Sequence, residues 1–324
     1  MSRTYLLTGA LGCIGAWVVK TVVDRGDQPV VFDLGGDPRR LKDLLDEDAL
    51  SRVHFVEGDI TDIEAVVSAI EKHDATRIVH LAGLQVPFCK ADPARGAAVN
   101  VLGTVNMFEA ARRTGIERVV YASSAAVYGP PQGEVGPPDE SAICEPTTHY
   151  GVYKRANEGN ARVFWTDNGI SSVGLRPLTV YGVGRDQGLT SGPTVAMKAA
   201  VLGREYCVPF SGATDFNYVA DTAAIFLACS DRAPDGAHVF NLHGDSVSIE
   251  DIVETIHSML PQGAPHTITC SGPELPIPPA LDGTALRSAI PDLPTTDLRE
   301  GVRWTMERFR LLAEQGRLDT RDLG

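Results

Sequence analysis

Through its first half this chain alternates short β-branched or aromatic runs with amphipathic stretches, and this alternation limits the folds open to it. Tyr5-Leu6-Leu7, Pro29-Val30-Val31-Phe32, Val53-His54-Phe55-Val56, Arg77-Ile78-Val79-His80-Leu81, Arg118-Val119-Val120-Tyr121-Ala122 and Ser172-Val173-Gly174-Leu175-Arg176 predict strands. Ile14 to about Arg25, Ile63–Lys72, Ala94–Thr114 and Tyr150–Asn168 predict the intervening helices, the third with Val101, Val105, Phe108 and Ala111 on one stripe. Strands joined through helices must run parallel. The expected class is α/β, a doubly wound parallel sheet whose strands read as continuous apolar runs because both faces are covered.

The Pro- and Gly-rich segment Gly129–Pro146 reads as a loop, and beyond Pro177 the alternation breaks down. The expected division is a Rossmann-type dinucleotide-binding domain over residues 1–178 and a smaller substrate-binding region over 179–324, part of which returns to the main sheet. Within that region Ser248 to Leu260 predicts a helix, opened by Ser248 and Asp251 as a capping box with Asp in place of Glu. From about Gly272 onward no chemical signal stands out, and the segment reads as packing and lid.

Composition narrows the partners. The 324 residues carry a formal net charge of −13, which argues against nucleic acid, since phosphate binding wants a basic stripe. The longest apolar runs, such as Ala223–Cys229, are too short to cross a bilayer, and the N-terminal residues lack the pattern of a secretory signal. The six cysteines are scattered without a C-x-x-C pair, and the histidines show no metal-binding spacing. The expectation is a cytoplasmic protein with no disulfide framework, no metal and no membrane partner.

Thr8-Gly9-Ala10-Leu11-Gly12-Cys13-Ile14-Gly15 lies between the first strand and the first helix. Three glycines there allow a tight turn and close backbone approach to a pyrophosphate, with helix N–H groups aimed at it. Asp33 ends the second strand 24 residues after Gly9, where a carboxylate can accept from both hydroxyls of an adenosine ribose and repel a 2′-phosphate. This favours NAD, although Arg39 and Arg40 lie close enough to offer a phosphate a charge. Cys13 reads as a small filler at the helix start.

Tyr150-Gly151-Val152-Tyr153-Lys154 opens a predicted helix, so Tyr150 and Lys154 share a face. A free tyrosine, with a pKa of about 10, is a weak base. A nearby ammonium and an oxidised nicotinamide would stabilise its phenolate, which could take a hydroxyl proton while hydride leaves the same carbon. Ser124 follows the fifth strand, at the carboxyl ends where open α/β sheets bind ligands, and can hydrogen-bond the reacting oxygen.

With these motifs in this order, the chain resembles the extended short-chain dehydrogenase/reductase family, its NAD-dependent sugar epimerase and dehydratase group, from Thr8 to about Asn241. The resemblance implies that Ser124, Tyr150 and Lys154 are catalytic. It implies that Gly9, Gly12, Cys13, Ile14, Gly15, Asp33, Asp59, Ile60, Leu81, Ala82, Gly83, Asn100, Tyr150, Lys154 and Pro177 hold NAD. It also implies a homodimer, through a four-helix bundle built from Ala94–Thr114 and Tyr150–Asn168 of each subunit. Candidate substrate contacts are Gln85, Ser124, Thr179, Arg185 and Asn217, with Gly182–Gly188 as a loop over the pocket.

One departure stands out. Where nucleotide-sugar epimerases resemble Arg-Asp-Tyr-x-x-Val-x-Asp, this chain has Thr214-Asp215-Phe216-Asn217-Tyr218-Val219-Ala220-Asp221, and threonine cannot grip a diphosphate as arginine does. Either Arg185 or Arg204 substitutes, or the substrate is a free sugar, sugar acid or lactone. The reaction is then that of an epimerase with retained NAD or of a dehydrogenase that releases NADH. Ala125-Ala126 lacks the acidic pair of a dehydratase. A non-catalytic NAD-binding scaffold is the distant alternative.

Overall fold

In the computed structural model, which describes residues 2–131 and 136–323, the apolar runs become strands in the expected order. They are β1 (Thr4–Thr8), β2 (Gln28–Asp33), β3 (His54–Glu57), β4 (Arg77–His80), β5 (Arg118–Ala122), β6 (Ser171–Arg176), β7 (Thr179–Tyr181), β8 (Tyr206–Val208), β9 (Ala213–Tyr218), β10 (Ala237–Asn241), β11 (Asp245–Ser248) and β12 (Ile268–Cys270). Seven of them form one parallel sheet in the order β3-β2-β1-β4-β5-β6-β10, so a strand from the C-terminal half does return to the main sheet.

Period-two alternation divides the strand residues between two layers. Tyr5, Leu7, Val79 and Val120 pack with Val18, Val19 and Val22 of helix Cys13–Asp24 and with Phe226 and Leu227 of helix Val219–Arg232. Leu6, Ile78, Val119 and Tyr121 face helices Ile63–Lys72, Gly103–Thr114 and His149–Asn168. The order reverses at β1 and β4. Both lead into the cleft at their carboxyl ends, where ligands bind such sheets.

The helix expected over Ala94–Thr114 is not continuous. Pro93–Ala97 is followed by a π-helical turn, Ala98–Leu102, and then by Gly103–Thr114. Asn100 sits in that turn, and its amide Nδ2 donates to Gly96 O at 3.0 Å and to Leu84 O at 3.2 Å. Side-chain bonding to the backbone competes with the regular ladder at this point.

Past Pro177 the chain builds a second core. Two small sheets appear, β11-β9-β7 and β12-β8, with helices Gly192–Val201, Ile249–Ser258 and Leu298–Glu314. The last carries Val302, Met306, Phe309 and Leu312 as a buried stripe against Ala196, Met197, Ile252 and Ile256. The capping box is present: Ser248 Oγ accepts from Asp251 N, and Asp251 accepts from Ser248 N. Among the described residues no helix is long and apolar enough to cross a membrane.

Candidate active site

A cleft of about 500 Å³ runs along the carboxyl ends of β1, β2, β4 and β5. Its floor is the glycine loop. Gly9 has φ +64°, and a Cβ there would sit 2.5 Å from Ala82 N; one on Gly15 would sit 2.3 Å from Gly9 O. Neither position admits a side chain, so strand end and helix start press together. Gly12 caps helix Cys13–Asp24 without a side-chain hydrogen bond, leaving first-turn N–H groups to face the cleft. This cradle, open where a larger residue would close it, fits a dinucleotide pyrophosphate.

Asp33 lies at the rim, with Oδ2 accepting from Leu11 N at 3.2 Å and Oδ1 from Leu34 N at 2.9 Å. The two arginines that could have served a 2′-phosphate are otherwise engaged. Arg39 Nη2 and Arg40 Nη2 both bind Asp186, at 2.7 and 2.6 Å; Arg39 also binds Asp319, and Arg40 Nη1 donates to Leu11 O at 2.8 Å. Cys13 lines the cleft, but burial pushes its thiol up to about 11, as suits a filler. Ile14, Asp59, Ile60, Leu81, Ala82, Gly83 and Pro177 line the same cleft.

Asn100 does not line it. At 1 % exposure it stands behind Gly83, where a Cβ would sit 2.6 Å from Asn100 Oδ1. Its backbone O accepts from Asn157 Nδ2 at 2.8 Å, which braces the wall behind Gly83.

The catalytic candidates converge. Thr148 caps helix His149–Asn168 by accepting from Gly151 N at 3.1 Å, which starts the helix where Tyr150 and Lys154 both enter the cleft. Ser124 follows β5, accepts from Ala126 N at 3.1 Å and lines the cleft beside Tyr150. Lys154 Nζ donates to Ala122 O at 2.8 Å and lies 5.5 Å from the centre of the Tyr150 ring. Burial lowers the Lys154 ammonium to about 8. Burial raises the Tyr150 phenol, against the pull of the Ser124 hydrogen bond and of the Arg185 charge.

Of the substrate candidates, Gln85, Ser124 and Arg185 face the cleft, whereas Thr179 and Asn217 do not. Thr179 is fully buried with Oγ1 2.7 Å from Thr214 Oγ1, and Asn217 Oδ1 accepts from Leu178 N at 3.2 Å. Thr179 is held to β9 and Asn217 to Leu178 just before β7, so neither side chain faces the cleft as the sequence reading expects. Residues it missed are Leu178, Leu189, Pro276 and Ile277, which form an apolar wall. Pro276 and Ile277 belong to the stretch without local signal; only the tertiary fold brings them here.

The profile of the NAD dependent epimerase/dehydratase family matches residues 5–242, which contain the glycine loop, Asp33, Ser124, Tyr150 and Lys154. The UDP-glucose 4-epimerase of Streptomyces lividans is 29% identical over 273 residues, covering 79% of this chain and 80% of its own. Among solved structures, the UDP-glucose 4-epimerase of Thermotoga maritima with UDP-glucose superposes with a TM-score of 0.83 at 23% identity, covering 96% of this chain and 100% of that one. The Thermus thermophilus enzyme in complex with NAD gives a TM-score of 0.79 at 23% identity, covering 95% and 99%. The structural matches speak for the fold. With the match of the family profile over most of the chain, they lead to one conclusion: this protein belongs to the NAD dependent epimerase/dehydratase family and is an NAD-dependent enzyme of the extended short-chain dehydrogenase/reductase type.

Proposed function

We propose that the cleft oxidises a hydroxyl-bearing carbon of a sugar or sugar derivative, with Tyr150 as general base. The observation that carries this reading is the convergence of Ser124, Tyr150 and Lys154 in one cleft at the sheet's carboxyl edge, with Lys154 Nζ 5.5 Å from the Tyr150 ring and the glycine cradle alongside. NAD, when bound, supplies the hydride acceptor. The chain's residues do the rest. Ser124 Oγ holds the reacting oxygen, and Tyr150 Oη receives its proton. Lys154, anchored to Ala122 O, fixes the height of the helix face that carries Tyr150. Gly9, Gly12, Gly15, Asp33, Asp59, Ile60, Leu81, Ala82, Gly83 and Pro177 are the residues that would hold the cofactor.

Tyr150→Phe removes the proton acceptor while keeping the ring. It is expected to abolish NADH formation with sugar substrates, about 100-fold or more, and to leave NAD binding intact. Retained turnover would overturn the assignment. A nucleotide-sugar 4-epimerase is the second reading, supported by the UDP-glucose 4-epimerases among the relatives. Near-stoichiometric NAD released on denaturing the purified protein favours this reading; an empty protein favours a dehydrogenase that exchanges NAD each turnover.

The assembly we infer is a homodimer through helices Gly103–Thr114 and His149–Asn168. Phe88, Leu102, Val152 and Val163 are exposed apolar residues on or beside these helices. Such a patch is costly to leave in water.

A further inference from the structure

Resting on that reading, we infer that the substrate is a small polyhydroxylated carboxylic acid, with Arg185 receiving its carboxylate and Gln85 a neighbouring hydroxyl. The cations lining the cleft, among the described residues, are Arg40, Lys154 and Arg185. Arg40 is committed to Asp186, Leu11 O and Gly184 O, and Lys154 to Ala122 O. Arg185 differs. Its one side-chain hydrogen bond runs from Nη2 to Thr190 Oγ1 at 3.0 Å; its Nε is buried without a partner, and no described carboxylate pairs with it. The adjacent Asp186 is drawn away by Arg39 and Arg40 together. The fold thus strips Arg185 of its nearest counter-charge and leaves a guanidinium facing the cleft.

Gln85 supplies the complementary group. Its Oε1 is buried and unpartnered. A Cβ on Gly188 would sit 2.5 Å from Gln85 Oε1 and 3.2 Å from Arg185 Nη2, so the orphaned acceptor and the uncompensated cation meet at one spot, kept open by a glycine with φ +101°. Buried polar atoms left unpaired are costly, and a ligand that satisfies both recovers that cost. A carboxylate beside a hydroxyl does so: the anion takes Arg185 N–H donors, and the hydroxyl donates to Gln85 Oε1. Arg185, Gln85 and Tyr150 line the same cleft, so a substrate held at this spot shares the cleft with Tyr150. A sugar nucleotide brings two phosphate charges to a cleft with one uncommitted cation, and the wall beyond is apolar.

The test measures equilibrium binding by calorimetry to the NADH-saturated protein, where oxidation cannot proceed. The probes are D-gluconate, D-galactonate, D-glucuronate, D-galacturonate, D-glucose and UDP-glucose. The same ligands are then assayed with NAD for NADH formation. At least one acid is expected to bind more tightly than D-glucose and UDP-glucose and to be oxidised. Arg185→Met is expected to weaken that binding about 30-fold, the loss of a charge-assisted contact, and Gln85→Leu about 5-fold. Arg185→Lys should restore part of the affinity, and NADH affinity, which reports on folding, should change little. The inference is overturned if UDP-glucose binds best, if Arg185→Met binds acids as well as the native chain does, or if no acid binds to protein that holds NADH. Oxidation of neutral sugars that depends on Tyr150 would leave the redox reading standing and remove only the acid. Turnover indifferent to Tyr150→Phe would remove the redox reading itself.

Discussion

Directly behind Ser124 lies a fully buried ion pair whose disruption has a calculable cost. Arg176 Nε and Nη2 each donate to Glu158 at 2.7 Å, and both side chains are 1 % exposed. Glu158 also accepts from Ser123 Oγ at 2.6 Å and from Arg155 at 2.8 Å, while Arg176 Nη1 donates to Tyr128 Oη at 2.7 Å. Burial alone would raise the Glu158 carboxyl; Arg176, by hydrogen bond and charge, outweighs it and holds the carboxyl below its ordinary value. Arg176→Met strands that carboxylate with the Ser123 and Arg155 donors alone, so a loss of about 3–5 kcal/mol is expected, a large share of the stability of a typical domain. Glu158→Leu strands the guanidinium at similar cost. The double variant Arg176→Met/Glu158→Leu strands no charge and should lose less than half the sum of the two singles. Urea denaturation of the four proteins measures the cycle. Activity should fall with stability, because Ser123 precedes Ser124, and Pro177, next to Arg176, accepts from Ala125 N at 3.0 Å. Single losses under about 1 kcal/mol, or strict additivity in the double, would refute the reasoning.

His80 gives a pH signature. Thr104 Oγ1 donates to Asn100 O at 2.8 Å and so accepts from His80 Nε2 at 3.0 Å, which leaves His80 Nδ1 to accept from Thr8 Oγ1 at 2.7 Å in a neutral ring. Burial lowers His80 from 6.5 to about 3, so the unfolded chain binds the proton first. Stability is complete above pH 6.5 and falls below it, by about 2 kcal/mol at pH 5, a slope that His80→Asn should lack in denaturation at each pH. Gly15→Ala forces a Cβ to 2.3 Å from Gly9 O and should abolish NAD binding in a fluorescence titration. Val163→Asp places a charge on the exposed apolar helix face and should break the proposed dimer in light scattering; an unchanged mass would rule out that interface.

Much of the site was legible in the sequence, because the cofactor cradle and the Ser124, Tyr150 and Lys154 set lie at strand ends and helix starts that local pattern marks. Gly9, Gly12 and Gly15 follow an apolar run, and Tyr150 and Lys154 share a helix face by spacing alone. The substrate side was legible only in part: Gln85 and Arg185 line the cleft as expected, Thr179 and Asn217 do not. Thr179 and Asn217 have the right chemistry at plausible positions, yet which way a residue on β7 or β9 points depends on pairing between residues 37 apart in the chain. Pro276 and Ile277 have no chemistry to announce them.

Sequence by itself determined the parallel sheet, the dinucleotide cradle and the family, since period, glycine and helix caps act over a few residues. Tertiary structure alone decided the charge state of the cleft. It turned Asp186 toward Arg39 and Arg40 and left Arg185 and Gln85 facing each other across Gly188. Electrostatic pairing depends on distance in space, and the chain order of these residues does not encode it.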